Sequence, residues 1–226
     1  MHLILMGPQG SGKGTQAGRL APRLGLVLVA TGDLFRRAIA AETALGHQIK
    51  AAYDRGELIS DDLTVALVEE KLDELSAERA LGTGVAGALY DGFPRTRLQA
   101  DALDAALTRR EEAISTVIQI DVPRQTLVNR LAGRRVCTIC DTVYHIEFNP
   151  PREEGVCDRC GGEVRQRPDD TPAAIEKRLD LYELETAPLL AHYRDRGLMA
   201  VVNGVQAIDL VTRDIERAVK GTATTR

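Results

Sequence analysis

Two constellations in this chain have residue types and spacings that could do chemistry. The first is Gly7-Pro8-Gln9-Gly10-Ser11-Gly12-Lys13-Gly14-Thr15-Gln16, which follows an apolar run from Leu3 to Met6 and precedes a helical stretch to about Leu24. Glycines let backbone N–H groups converge on oxygens, a helix N-terminus adds positive potential, and Lys13 adds a full charge. Strand, glycine loop and helix in that order are what a polyphosphate needs, with Gly10, Ser11, Gly12, Lys13, Gly14 and Thr15 lining it. A glycine-rich turn without a ligand would give no reason for a lysine at that place. The second constellation is Cys137-x2-Cys140 and Cys157-x2-Cys160, with sixteen residues between the pairs, a zinc-ribbon spacing that brings four soft ligands to one tetrahedron.

One residue of the loop departs from the general phosphate-loop pattern, which has Ser or Thr directly after the lysine to bind magnesium. Gly14 stands there and Thr15 follows. The shift argues against a switch GTPase or motor ATPase and points to small-molecule kinases, where magnesium is held largely through water and phosphate oxygens.

Two further segments belong with Lys13. Thr31-Gly32-Asp33-Leu34-Phe35-Arg36 ends a second apolar run, and Asp91-Gly92-Phe93-Pro94-Arg95-Thr96 ends a third. Ligands of open parallel sheets gather at the carboxyl ends of the strands, so Asp33, Arg36, Asp91 and Arg95 should face the crevice that holds Lys13. Taken singly, each is as readily a capping Asp or a solvated Arg. Together they suit phosphates and a hydrated cation.

The elements that must position these groups are visible as strand-like runs at Leu3 to Met6, Leu26 to Val29, Val85 to Tyr90, Val117 to Val122 and Met199 to Val202, each followed by turn residues and a helical pattern. Five strands alternating with helices predict an α/β fold, a parallel sheet covered on both faces. Val85 to Tyr90, with Gly87 and two alanines, is the weakest of the five. Ser60 can cap a helix whose first turn carries Asp61 and Asp62 against the positive end of its dipole, with helical spacing from Leu63 to Leu75. Pro123 fits the first turn of a helix to about Gly133, Thr171-Pro172 opens another, and Asp209 to Val219 is the last, before a frayed tail from Gly221. From Arg134 to Arg167 the helical period gives way to short pieces punctuated by Pro, Gly and Cys, which marks an inserted module.

A length of 226 residues fits one core with a small insertion. With 29 Lys and Arg against 33 Asp and Glu, the net charge of −4 makes nucleic acid a poor partner, as do the absence of Trp and the small number of Phe and Tyr for base stacking. No run approaches the ~18 apolar residues of a membrane span, and the N-terminal apolar run is far shorter than a signal-peptide core. A cytoplasmic protein with no membrane partner is expected, its cysteines thiols or metal ligands rather than disulfides.

GPQGSGKGTQ, TGDLFR and DGFPRT in this order and spacing resemble the adenylate kinases. The likeness continues through Gly56-Glu57-Leu58-Ile59, Asn129-Arg130, Gly133-Arg134-Arg135-Val136, Tyr144-His145 and Lys177-Arg178, nearly the whole chain. It implies a P-loop NTPase-type core of a five-stranded parallel sheet, from residues 1–30, 80–133 and 168–226, a helical segment 31–79 over a monophosphate, and a zinc-binding lid 134–167. It implies the reversible reaction of MgATP and AMP to MgADP and ADP, by a monomer. Arg36 and Arg95 would hold the AMP phosphate, Thr31, Gly92, Gln99 and the backbone near Glu57 and Ile59 the rest of that nucleotide. Arg130, Arg134, Arg167 and Arg178 would surround the transferring phosphates, Arg167 and Arg178 reaching both nucleotides, with Val143, Tyr144 and Gln206 also on ATP. Asp91 and Asp33 would anchor the water shell of Mg2+, and Phe93-Pro94 would be a cis peptide that turns Arg95 into the site.

Four thiolates close a coordination sphere, so a metal there is structural and holds together a module of about thirty residues, too small for a core of its own. Zn2+ is expected; iron, a reduced metal-free cluster and disulfides are the alternatives. The alternatives for the whole protein are a UMP- or CMP-preferring nucleoside-monophosphate kinase, against which Thr31 argues, and a nucleotide-gated nucleic-acid-binding protein using its cysteine ribbon.

Overall fold

A computed structural model describes residues 1–54, 59–167 and 170–223. Its centre is a five-stranded, wholly parallel sheet built from β1 (His2–Met6), β2 (Leu26–Ala30), β3 (Gly87–Asp91), β4 (Ile114–Asp121) and the last strand, β8 (Met199–Asn203), in the order β2-β3-β1-β4-β8. Side chains alternate along β1: Leu3 and Leu5 enter one core, Ile4 and Met6 the other. Both faces are therefore covered, as the near-continuous apolar strands required.

One core is closed by α1 (Lys13–Arg23), α6 (Arg124–Ala132), α7 (Pro172–Leu181) and α9 (Ile208–Ala223), through Leu20, Leu127, Leu131, Ile175, Leu179 and Ile215. The opposite core takes α4 (Asp61–Ala80), α5 (Arg97–Thr108) and α8 (Pro188–Asp195), through Val68, Leu72, Leu103, Leu107, Leu189 and Tyr193. β1 thus hands the chain to a helix on one face and its neighbour β3 to a helix on the other. The crevice between their carboxyl ends is the switch point at which an open α/β sheet receives a ligand.

The third strand runs from Gly87 to Asp91 rather than from Val85 to Tyr90. Its low propensity is overridden by position, because the N-terminal ammonium donates to the Ala86 carbonyl and Ala88 N–H to that of Met1, while a side chain at Gly87 would run into the Met1 backbone. Pro123 caps α6 instead of opening its first turn, and α9 continues through Gly221 to Ala223, where a frayed tail was expected. Ser60 caps α4 as expected, its hydroxyl accepting from Leu63 N–H.

Before α4, α2 (Thr31–Ala40) and α3 (Ala44–Asp54) pack with it on Ala38, Ile49 and Leu67. Residues 134–165 form a separate antiparallel sheet of β5 (Arg134–Cys137), β6 (Val143–His145) and β7 (Val164–Arg165), ordered β6-β5-β7. Its only core is Cys137, Tyr144, Cys157 and Val164. Between α7 and α8 the chain makes a π-helical turn, Tyr182–Thr186, closed by Ala187 N–H on the Tyr182 carbonyl. Among the described residues no helix is long and apolar enough to cross a membrane.

Candidate active site

The glycine loop occupies residues 7–12, and Lys13, Gly14 and Thr15 open α1. Lys13 folds back on its own loop, Nζ donating to the carbonyls of Gly7 at 2.6 Å and Pro8 at 2.9 Å. Ser11 is buried and its hydroxyl has no protein partner, an orphaned polar atom at the base of the loop. The Gln16 amide donates to the Ile208 carbonyl and accepts from Thr212, tying α1 to α9.

Desolvation pulls the Lys13 ammonium down to about 8; Asp91 opposes this, and Arg95, Arg134 and Arg178 add to it. Those four side chains, from β3, the loop after it, β5 and α7, therefore act on one point. Burial also raises the Asp91 carboxyl, against the pull of Lys13 and Arg95 and with the help of Asp33. Desolvation lowers Arg95, against Asp91. Two carboxylates and several cations facing each other across a crevice suit an anionic ligand that carries a divalent cation.

Asp170 gathers two of the arginines. Its fully buried carboxylate accepts from Arg134 Nε at 2.8 Å and Nη2 at 2.5 Å, and from Arg178 Nη1 at 3.3 Å. Arg130 lies against the loop itself, donating to the Gly10 carbonyl at 3.4 Å and to that of Gly204 at 2.9 Å. Arg167 is exposed at the return of the inserted sheet, where its carbonyl accepts from Asp170 N–H.

On the other side, Phe93-Pro94 is cis. Gly92 takes a φ of 77°, and a Cβ there would lie 3.0 Å from Arg95 Nη2 and 3.1 Å from Thr31 Oγ1. The Gly92 carbonyl accepts from Arg95 Nε at 2.8 Å and from the buried Thr31 hydroxyl at 3.2 Å. Arg36 sits at the mouth, paired with Asp33 and, at 3.1 Å, with Asp141 of the cysteine module. Gln99 is buried, and Ile59 packs among α2, α3 and α4. Glu57 lies outside the described residues.

Two of the expected ATP contacts use their side chains otherwise. The Tyr144 hydroxyl lies 3.4 Å from Cys157 Sγ and accepts from Asp158 N–H, so this strand offers a nucleotide its backbone and the exposed Val143. Gln206 donates to Asn203 O and to Asp214. Beside them is a ring that spacing alone did not mark: His145 Nδ1 accepts from Glu147 and Phe148 N–H, which puts its hydrogen on Nε2, buried and without a partner over Gly133. The ring stacks on Phe148 with centroids 4.4 Å apart.

The four Sγ atoms lie within 4.8 Å of one another, with contacts of 3.5 Å for Cys137–Cys160 and Cys140–Cys157 and 3.3 Å for Cys140–Cys160. Disulfides would be about 2.05 Å, so all four are free thiols. A tetrahedron with metal–sulfur bonds of ~2.3 Å has edges of about 3.8 Å, so the cluster could hold such an ion with little adjustment. Ile139 N–H and the hydroxyls of Thr142 and Tyr144 point at the sulfurs, and the Tyr144 hydrogen bond brings Cys157 down to about 6.

The parallel sheet, its glycine loop and the cations gathered at its switch point define a P-loop nucleotide-handling enzyme of the phosphotransferase kind. The family model described as adenylate kinase matches residues 5–198. Curated adenylate kinases from Symbiobacterium thermophilum and Carboxydothermus hydrogenoformans are 48% and 44% identical to it over 220 residues, 97% of this chain and 99% and 100% of theirs. That of Moorella thermoacetica is 47% identical over 218 residues, 96% of this chain and 97% of its own. The chain belongs to the adenylate kinase family.

Proposed function

We infer that this protein carries out its family's reaction, reversible transfer of the terminal phosphoryl group of MgATP to AMP, giving two ADP. The observation that carries the reading is the convergence of Asp91, Arg95, Arg134 and Arg178 on Lys13 at the mouth of the glycine loop.

Phosphoryl transfer passes through a loose, in-line transition state, so the protein's part is positioning and electrostatic stabilisation. The loop amides and Lys13 take the donor's phosphates, with Arg130 beside the loop. Arg134 and Arg178, held by Asp170, face the group that moves. Arg95 and Arg36 take the acceptor's phosphate, near Thr31 and Gln99. The acceptor oxygen is already ionised at pH 7, so no general base is needed. Planar guanidinium groups both neutralise and align oxygens that would otherwise repel.

Asp91 and Asp33 are read as the anchors of magnesium's water shell, where the cation neutralises phosphate oxygens; their mutual effect on the Asp91 carboxyl is what a cation would relieve. Cys137, Cys140, Cys157 and Cys160 are read as the ligands of a structural Zn2+, remote from the chemistry. Closure of residues 134–167 over the donor and 31–79 over the acceptor excludes water as a competing acceptor. A monomer suffices, since every group named comes from one chain.

The test is a panel assay of purified protein with MgATP and each nucleoside monophosphate. AMP is expected to be the preferred acceptor. Faster turnover of UMP or CMP would overturn the substrate while leaving the class, and no transfer to any monophosphate would overturn both.

A further inference from the structure

Asp61 stands first in α4, beside Asp62, in the place where a carboxylate ordinarily serves the helix dipole. Both its oxygens are directed to another element instead. Oδ2 accepts from the Thr96 hydroxyl at 2.8 Å and Oδ1 from Gln99 Nε2 at 2.6 Å. The Thr96 hydroxyl in turn accepts from Gln99 N–H at 3.2 Å, and Gln99 Oε1 accepts from the backbone N–H of Arg95 at 2.8 Å.

The direction of this chain of bonds is set at one end. An ionised carboxylate only accepts, so it draws the NH2 side of the Gln99 amide and leaves Oε1 toward Arg95 N–H. Gln99 is 5% exposed, too buried for water to substitute. Without Asp61 the NH2 loses its acceptor and can turn toward another one, drawing Oε1 away from the Arg95 N–H. The Arg95 carbonyl is held as well, accepting from Thr186 of the π-helical turn at 3.1 Å. The peptide carrying Arg95 is therefore fixed from both sides, by α4 through Gln99 and by the π turn directly.

We propose that Asp61 is a positioning residue for the acceptor half of the reaction: through Gln99 and Thr96 it locks the backbone of Arg95 to the start of α4, so that the guanidinium meets the monophosphate only when the two elements are in register. The inference rests on the reading of Arg95 as a phosphate clamp. Asp62, exposed and outside this set of bonds, has no such part.

The experiment compares Asp61→Ala, Asp61→Asn, Asp61→Ser and Asp62→Ala with wild type. AMP is varied at saturating MgATP and MgATP at saturating AMP, and melting is followed in parallel. Asp61→Ala should raise KM for AMP about tenfold and leave KM for ATP within about twofold. Asp61→Asn should stay within about threefold of wild type, since its amide can still accept from Gln99 and donate to Thr96. Asp61→Ser suits a helix start but is too short to reach Gln99, and it must reproduce the alanine result, which keeps the test intact should Asp61→Ala fail to fold. A residue that merely stabilises α4 would lower melting temperature without separating the two KM values. Unchanged KM for AMP, equal shifts in both, or the same effect from Asp62→Ala overturns the proposal. A wild-type enzyme that phosphorylates no monophosphate overturns the underlying reading first, and is recognised before any variant is made.

Discussion

The carboxylate of Asp141, between Cys140 and Thr142, lies 3.1 Å from the Arg36 guanidinium on α2, which also pairs with Asp33. The cysteine module and the helical segment are thereby joined across the mouth of the cleft. The two side chains are 53% and 56% exposed, so the pair is screened and worth about 0.2–1 kcal/mol. That is a factor of about 1.4 to 5 in an equilibrium between closed and open forms. Asp141→Ala should shift the nucleotide-free enzyme toward the open form by up to that factor, read as a distance between probes on the module and on α2. High salt should do the same to wild type and little to the variant. Equal distance distributions in both proteins would remove the pair from closure.

Lys13 gives a pH dependence with a definite sign. Its pKa of about 8 in the empty site is lowered chiefly by desolvation and then by Arg95, Arg134 and Arg178. Bound polyphosphate adds negative charge and raises it. The empty protein therefore loses the proton as pH rises through 8 while the complex keeps it, and binding above that pH takes up a proton. Affinity for MgATP should be flat below about pH 7 and weaken up to tenfold per pH unit above 8. Calorimetry at pH 8.5 in buffers of different ionisation enthalpy should register the uptake in wild type and none in Lys13→Met. That variant should also lose turnover by orders of magnitude with its fold intact.

How much of this was legible in residue order depends on whether neighbours or distant elements set each feature. The glycine loop and the cysteine pairs declare themselves, because their chemistry lives in local spacing. The sheet is readable from apolar runs, except that β3 owes its start to the Met1 backbone, which no window around Gly87 contains. The inserted sheet has strands of two to four residues, too short for a period. The carboxylates were the least legible. Asp61 looks like a dipole residue and nothing in the spacing marks Asp170, yet their partners come from the start of α5 and from β5 and α7. Tyr144 was expected against ATP, while its side chain faces the sulfurs.

Removing a sulfur should unmake the module. Its core is two cysteines, Tyr144 and Val164, too little to order some thirty residues alone. Cys157→Ser should release metal and lower melting temperature. If about 3 kcal/mol is lost, the fall is about 6–12 °C in a protein of this size. Chelator should lower wild type toward the variant, and turnover at low temperature should change less than stability does. Equal melting of the two proteins would leave the structural-metal reading without support.

Asp170→Asn replaces a buried counter-ion shared by Arg134 and Arg178 with a neutral group of the same shape. Leaving buried charge uncompensated typically costs about 3–5 kcal/mol. The variant should melt lower and turn over at least tenfold more slowly. A dinucleoside pentaphosphate brings negative charge to the same guanidinium groups, so it should raise the melting temperature of Asp170→Asn more than that of wild type. An equal ligand-induced rise in both would mean that Asp170 is not standing in for phosphate.

Gly92 is hemmed in by two of the residues proposed to meet the acceptor. Its φ of 77° is costly for any side chain, and a Cβ would press on Arg95 Nη2 at 3.0 Å and Thr31 Oγ1 at 3.1 Å. Both neighbours hydrogen-bond to the Gly92 carbonyl, so neither can withdraw without giving up a bond. The guanidinium, at the end of a flexible side chain, is the one that yields, and it leaves its place beside the Gly92 carbonyl. Gly92→Ala should therefore raise KM for AMP by tenfold or more, lower kcat because the acceptor oxygen is misaligned, and leave MgATP binding close to wild type. Titration of each nucleotide separately distinguishes this from a general loss of structure, which would weaken both.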